Sequence, residues 1–167
     1  TYFQNQPFFQ KRLAMAYLEL QKYENGMRVY QKLSAAAKDQ NPVYLDGLGN
    51  CYAGLGSFSA AIRTFKKALN LVTNREQENH LLFRLSQLEQ ANLDFSAALE
   101  TLENLAERNY PLAFIELAEV WSKIVKDYFD RWLFGLGGEY AEKALVVINR
   151  ALQSGYAESA CLWKKAA

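Results

Sequence analysis

Residues 41–74 read NPVYLDGLGNCYAGLGSFSAAIRTFKKALNLVTN, from Asn41 to Asn74, and this stretch decides the fold. Asn41 is of the N-cap type, and Pro42 follows at a first helical position, where a missing N–H costs no hydrogen bond. Leu45, Leu48, Gly49 and Tyr52 recur at helical spacing and share one face. Gly54 and Gly56 close this helix, and Ala61, Phe65, Ala68 and Leu69 form the apolar stripe of a second. The small residues Gly49 and Ala61 let two helix backbones approach while Tyr52 and Phe65 fill the volume on either side. Two short amphipathic helices joined by a tight turn are predicted.

Leu48-Gly49-x-x-Tyr52, followed by Ala61, Phe65 and Ala68 within a 34-residue unit, resembles the tetratricopeptide repeat (TPR). Leu45 stands where that family most often has tryptophan, and Thr73 where it usually has proline. The resemblance implies an all-α fold, a right-handed superhelical α-solenoid of antiparallel helix pairs with about four repeats and a partial fifth helix.

The same spacing recurs along the chain. In a first repeat, 7–37, Leu13, Ala14, Tyr17, Gly26, Tyr30 and Leu33 lie 35 residues ahead of Leu48, Gly49, Tyr52, Ala61, Phe65 and Ala68. Gly26 is an unusual mid-helix choice, about 0.5–1 kcal/mol worse than alanine, and implies close packing against Ala14. A third repeat, 79–107, carries Leu82, Leu85 and Ser86, then Phe95, Ala98, Leu102 and Leu105. Glu89 falls there on the tyrosine position, with Leu88 beside it to supply an apolar contact. A fourth, 111–154, carries Phe114, Leu117, Ala118 and Trp121, then Ala144, Ile148 and Ala151. A fifth opens over 157–167 with Leu162 and Trp163, and Pro7, Pro42 and Pro111 all fall at first helical positions.

The fourth repeat departs from the others in one measure. The small anchors are 12 residues apart from Ala14 to Gly26, Gly49 to Ala61 and Ser86 to Ala98, but 26 apart from Ala118 to Ala144. The extra residues lie at 125–138, VKDYFDRWLFGLGG, and are aromatic rather than Ser/Gly-rich, so extended helices are predicted in place of a floppy loop. The first helix is expected to run to about Trp132, with Gly135, Gly137 and Gly138 reversing the chain. Tyr128, Phe129, Trp132, Leu133 and Phe134 would then project beyond the edge of the repeats, either covering a neighbouring helix or exposing an apolar patch for a partner.

Composition limits the function. The 167 residues are 50% hydrophobic, which argues against disorder, and 19 basic residues balance 18 acidic ones along the chain. No basic stripe points to direct nucleic-acid binding, and no apolar run is long enough to span a bilayer. Cys51 and Cys161 follow no metal spacing, and a buried reduced Cys51 fits a reducing compartment. The start at Thr1 and the end at Ala167 inside a helical pattern suggest a piece excised from a larger protein. Cut repeats would expose apolar faces near Phe8 and Phe9 and near Leu162 and Trp163, inviting end-to-end self-association.

No catalytic constellation is visible, and no metal or cofactor is implied. His80 is the only histidine and reads as a solvent-facing helix residue. The glycine clusters GLGNCYAGLG and GLGG lack the Gly-Lys-Ser/Thr ending of a phosphate loop and follow no strand, so helix packing and termination explain them. Glu116 and Glu119 lie one turn apart but read as a solvated face. A protein-binding role is the better expectation.

In TPR numbering the groove-facing positions include Lys11, Arg12, Met15, Asp46, Asn50, His80, Arg84, Gln87, Glu116 and Glu119. Chaperone adaptors of the family grip a C-terminal carboxylate with basic pairs and two asparagines. Lys11 and Arg84 match two of those places and His80 a third weakly, but Met15 and Gly47 replace the asparagines. A mixed-charge groove for a protein segment remains. Candidate partner-binding residues are therefore Lys11, Arg12, Asn50, His80 and Arg84, together with Tyr128, Phe129, Trp132 and Phe134 of the insertion.

The segment from Leu117 to Lys164 adds a narrower resemblance. It joins a TPR first helix to Asp127-Tyr128-Phe129-Asp130, then to Tyr140-Ala141-Glu142-Lys143-Ala144-Leu145, and ends in Ser159-Ala160-Cys161-Leu162-Trp163-Lys164. This is similar to the TPR scaffold family of the metazoan superkiller (Ski) complex. The resemblance implies a non-catalytic scaffold in the cytoplasm, compatible also with the nucleus, that holds an RNA helicase and WD-repeat subunits and serves exosome-linked RNA decay. A peptide-binding adaptor such as a chaperone co-factor is the alternative on the same fold, and an RNA-binding helical repeat is a third reading from a different class.

Overall fold

The computed structural model describes residues 6–131 and 134–153. Among them every regular element is an α-helix: α1 Pro7–Glu19, α2 Tyr23–Ala36, α3 Pro42–Gly54, α4 Phe58–Leu69, α5 Arg75–Ala91, α6 Phe95–Glu107, α7 Pro111–Asp130 and α8 Phe134–Gln153. The chain divides into two compact units, Thr1–Leu93 and Asp94–Ala167. Within the first, each of α1 to α4 packs on its successor and α1 also meets α3; within the second, α6 packs on α7 and α7 on α8.

Local chemistry sets the helix boundaries. The Asn41 side chain accepts from Val43 N at 3.0 Å ahead of α3, and Asn74 accepts from Glu76 N at 2.8 Å and Gln77 N at 3.2 Å ahead of α5. That cap starts α5 at Arg75, ahead of the expected Asn79, because Asn74 satisfies donors the helix itself leaves open. Asp94 caps α6 through Ala97 N at 3.1 Å. After α1, α3 and α5 the chain turns through one left-handed residue: Gln21 (φ 55°), Gly56 (φ 71°) and Leu93 (φ 62°). The first two turns share the same closing bond, from Lys22 N to Tyr17 O at 2.8 Å and from Ser57 N to Tyr52 O at 2.9 Å.

The first unit is held by two apolar clusters. Ala14, Tyr30, Leu33, Leu48 and Cys51 form one; Leu45, Ala61, Phe65, Ala68, Leu81, Leu85 and Leu88 form the other, and the partly buried Tyr52 packs against both. Close approach at glycine is the device that makes room. A Cβ on Gly49 would sit 2.7 Å from the Phe65 ring, one on Gly47 would fall within the Tyr30 ring, and one on Gly54 would meet the Tyr23 ring. Gly26 does approach Ala14, whose carbonyl would lie 3.5 Å from its Cβ, but its tightest neighbour is the Cys51 sulfur of the next hairpin at 3.1 Å.

In the second unit, Ala113, Phe114, Leu117, Val120 and Trp121 of α7 are buried, as are Leu102, Leu105 and Ala106 of α6. Helices α7 and α8 have 20 residues each, against 13 in α3 and 12 in α4, so the fourth pair is built from extended helices. The expected position of the reversal was wrong. Gly135, Gly137 and Gly138 lie inside α8 at its N-terminal end, and α7 stops at Asp130. Residues 157–167, with Leu162 and Trp163, lie outside the described residues.

Candidate functional site

A polar group of the first unit gathers on α3 and α5. Arg84 crosses the face of Phe65, its Cζ 5.6 Å from the ring centroid, and places Nη1 3.7 Å from Asp46 Oδ1. Asn50, one turn beyond Asp46 on α3, donates from Nδ2 to the same Oδ1 at 3.4 Å. Asp46 and Asn50 share a face through i,i+4 spacing, as do His80 and Arg84 on α5. The short side chains of α4 beneath, Ala61 and Ala68, leave the Phe65 ring as the floor over which the guanidinium passes.

Two features mark this group as something other than a settled surface ion pair. Burial pushes the Asp46 carboxyl up from its ordinary value, more than the charges of Arg84 and His80 and the Asn50 hydrogen bond pull it down. Asn50 Oδ1 is buried and accepts no hydrogen bond. A carboxylate can only accept, so the amide nitrogen must face Asp46, and this orientation leaves the amide oxygen unused. An orphaned acceptor costs about 1–3 kcal/mol, which turning toward a donor would recover.

The other sequence candidates lie elsewhere. Lys11 is half-buried on α1, and Arg12 is exposed with its Cζ 5.7 Å from the ring centroid of Phe8 on its own helix; neither joins the group among the described contacts. Trp132 lies outside the described residues, as do the side chains of Tyr128, Phe129 and Phe134. Phe8 and Phe9 are exposed and meet edge to face with centroids 5.4 Å apart. A carboxylate clamp has no room at position 47, because the Tyr30 ring occupies the space any side chain there would need.

Sequence reasoning missed a buried charge. Glu89 is only 3% exposed and faces Lys66 Nζ of α4 at 3.6 Å. Its place on the tyrosine position of the repeat reads as a lapse in the pattern, and the partner on another helix has no sequence signal. Leu88 is buried in the same cluster as Phe65, as expected for the residue that supplies the apolar contact.

Among the described residues no three or more His, Cys, Asp or Glu side chains gather as a metal would require, and no helix is long and apolar enough to cross a membrane. The glycines of GLGNCYAGLG serve packing at Gly47, Gly49 and Gly54 and the turn at Gly56.

No protein-family model matches the chain. Over 158 residues, 93% of the chain, it is 27% identical to superkiller complex protein 3 of Homo sapiens, and it spans about a tenth (10%) of that relative's length. Among solved structures it is similar to MamA, with a TM-score of 0.62 and 14% identity over 89% of this chain and 82% of that one. The TPR-like repeats of a putative kinesin light chain from Podosopora anserina give a TM-score of 0.55 at 14% identity, covering 86% of this chain and 95% of that one. BtubC from P. vanneervenii gives 0.60 at 17% identity, covering 90% and 65%. These likenesses establish the fold as an all-α solenoid of TPR-like helix pairs.

Proposed function

We propose that this chain is a docking segment of a non-catalytic scaffold, with a partner polypeptide laid across α3 and α5 and held by Asp46, Asn50, His80 and Arg84. The observation that carries this reading is the Arg84 guanidinium, set over the Phe65 ring and 3.7 Å from a carboxylate that burial disfavours. Arg84 and the exposed His80 offer charge to an acidic side chain of the partner, and Asp46 can accept from its backbone N–H groups. The 27% identity to superkiller complex protein 3 supports placing the scaffold in a superkiller-type assembly of cytoplasmic RNA decay, with the RNA helicase and WD-repeat proteins implied by the resemblance as partners.

The test is recovery of partners from cytosol by the full-length protein carrying Asp46→Asn or Arg84→Gln in this segment, with and without residues 125–138. The intact protein is expected to bring down a helicase and WD-repeat proteins, and each substitution to reduce recovery by about tenfold, the worth of one charged contact. Because the folded-state carboxyl is raised, its ionisation weakens the fold as pH rises above the ordinary carboxylate range. Asp46→Asn therefore melts no lower than the parent at neutral pH, which separates lost binding from lost folding. Unchanged recovery by both variants would remove this surface from the interaction. A chaperone peptide as the main captured species would favour the adaptor reading.

A further inference from the structure

The second unit carries a cavity of different chemistry. It has a volume of about 520 Å³ and is lined by Glu103 of α6, Trp121 of α7, and Glu139, Glu142, Lys143 and Val146 of α8. Its aromatic lining residue is Trp121, which stacks on Tyr140 with centroids 5.3 Å apart and planes at 25°. Three carboxylates and a single ammonium surround it, and none of Glu103, Glu139 or Glu142 forms an ion pair among the described residues. The one cation already leans on this pair: Lys143 Nζ is 5.7 Å from the Trp121 centroid and 5.4 Å from that of Tyr140.

We propose that this cavity receives an arginine side chain of a partner protein, with Lys143 as the internal occupant it displaces. Ring faces carry negative charge and hold a cation, and carboxylates at the rim neutralise it. Lys143 demonstrates the attraction within the molecule, yet an ammonium is a compact, strongly hydrated point charge that gains little from a flat ring. A guanidinium is planar and less hydrated, stacks on aromatic faces, and offers paired donors that match a carboxylate. Lys143 itself is exposed and on a flexible stem, so it can leave the rings for solvent without disturbing α8. Val146, 68% exposed one turn along, extends the cavity with an apolar lip for the residue following the arginine. The net negative rim selects against acidic segments. This surface belongs to α6, α7 and α8 and is independent of the reading given to α3 and α5.

The experiment is calorimetric titration of the full chain with the peptide acetyl-Gly-Arg-Leu-Gly-amide, alongside the same peptide carrying lysine or citrulline. Citrulline keeps the shape of arginine and removes its charge. The arginine peptide is expected to bind about tenfold more tightly than the citrulline one, with lysine between them. Lys143→Ala, by removing the competitor, should tighten arginine binding several-fold, and Glu103→Gln or Glu142→Gln should weaken it by about as much. Asp46→Asn should leave it unchanged, so failure here and failure at the α3–α5 surface are told apart. Circular dichroism of each variant identifies any that has lost its helices, and both glutamate variants alter exposed side chains. Equal binding of the arginine and citrulline peptides, no binding of either, or weaker binding by Lys143→Ala would overturn the proposal.

Discussion

The hairpins α3–α4 and α7–α8 follow one packing pattern and use their aromatic residues in opposite ways. In α3–α4, rings lie over glycines: Phe65 over Gly49, and Tyr30 and Tyr23 from α2 over Gly47 and Gly54. The helices are short, and Phe65 is fully buried. In α7–α8 the helices are longer, Trp121 stacks on Tyr140 beside an open cavity, and α8 shows Leu145, Val146 and Ile148 to solvent.

The sharpest way to break this comparison is a charge placed at the same repeat position in each hairpin. Ala61 is fully buried between packed helices, so Ala61→Glu is expected to cost several kcal/mol, about 4, and to abolish cooperative melting. Ala144 holds the matching place in α8 but is only half-buried, and Ala144→Glu should cost about 1 kcal/mol because its carboxylate can reach water. Equal losses in urea melts would mean that the two hairpins are packed alike.

Glycine gives a smaller contrast with opposite signs. A methyl at Gly47 collides with the Tyr30 ring, whereas Gly138 has nothing within 4 Å of the position its Cβ would take. Gly47→Ala is expected to destabilise by about 2–3 kcal/mol through overpacking. Gly138→Ala should stabilise by about 0.5–1 kcal/mol by restricting the unfolded chain and favouring helix. Melting temperatures that fall for both would contradict the open surface assigned to α8.

Alkaline titration is the mildest probe. Burial pushes the Tyr30 hydroxyl from 10.0 to about 12 and the Cys51 thiol from 9.0 to about 11. Both groups hold their protons more tightly when folded, so the unfolded chain releases them first. Stability is then full below about pH 9 and falls as pH rises through about 12. Tyr30→Phe should remove the upper part of this fall and leave the part that belongs to Cys51. Denaturant midpoints at about pH 8, 10 and 11 check this, and a flat profile for the parent would refute the burial of both groups.

Much of this was legible before any coordinates. The recurrence of Leu48 and Leu85 with Ala14, Gly49 and Ser86 specifies one buried face per helix, since a period of 3.6 residues is a property of the backbone alone; Leu13, at the matching place in α1, is instead 48% exposed. Asn41 and Pro42 announce a helix start for the same local reason. The pairing of Asp46 with Arg84 was visible only as two groove positions, because its geometry depends on how α3 and α5 are set across α4. Glu89 was illegible: a carboxylate in a tyrosine position looks like an error until Lys66 arrives from another helix. The reversal between α7 and α8 was misplaced because glycines signal a turn and an early helical position equally well.

The sequence by itself determined the element type and much of the inward-facing set, which follow from spacing, size and capping over a few turns of chain, though Leu13 and Ile148, read as inward, are 48% and 38% exposed. Only the tertiary structure decided which ring covers which glycine, where the buried carboxylates find their cations, and that Trp121, Tyr140 and Lys143 meet at the edge of a cavity. Those facts depend on distances between helices far apart in the chain, and side-chain periodicity, which is blind to a neighbour's position, cannot supply them.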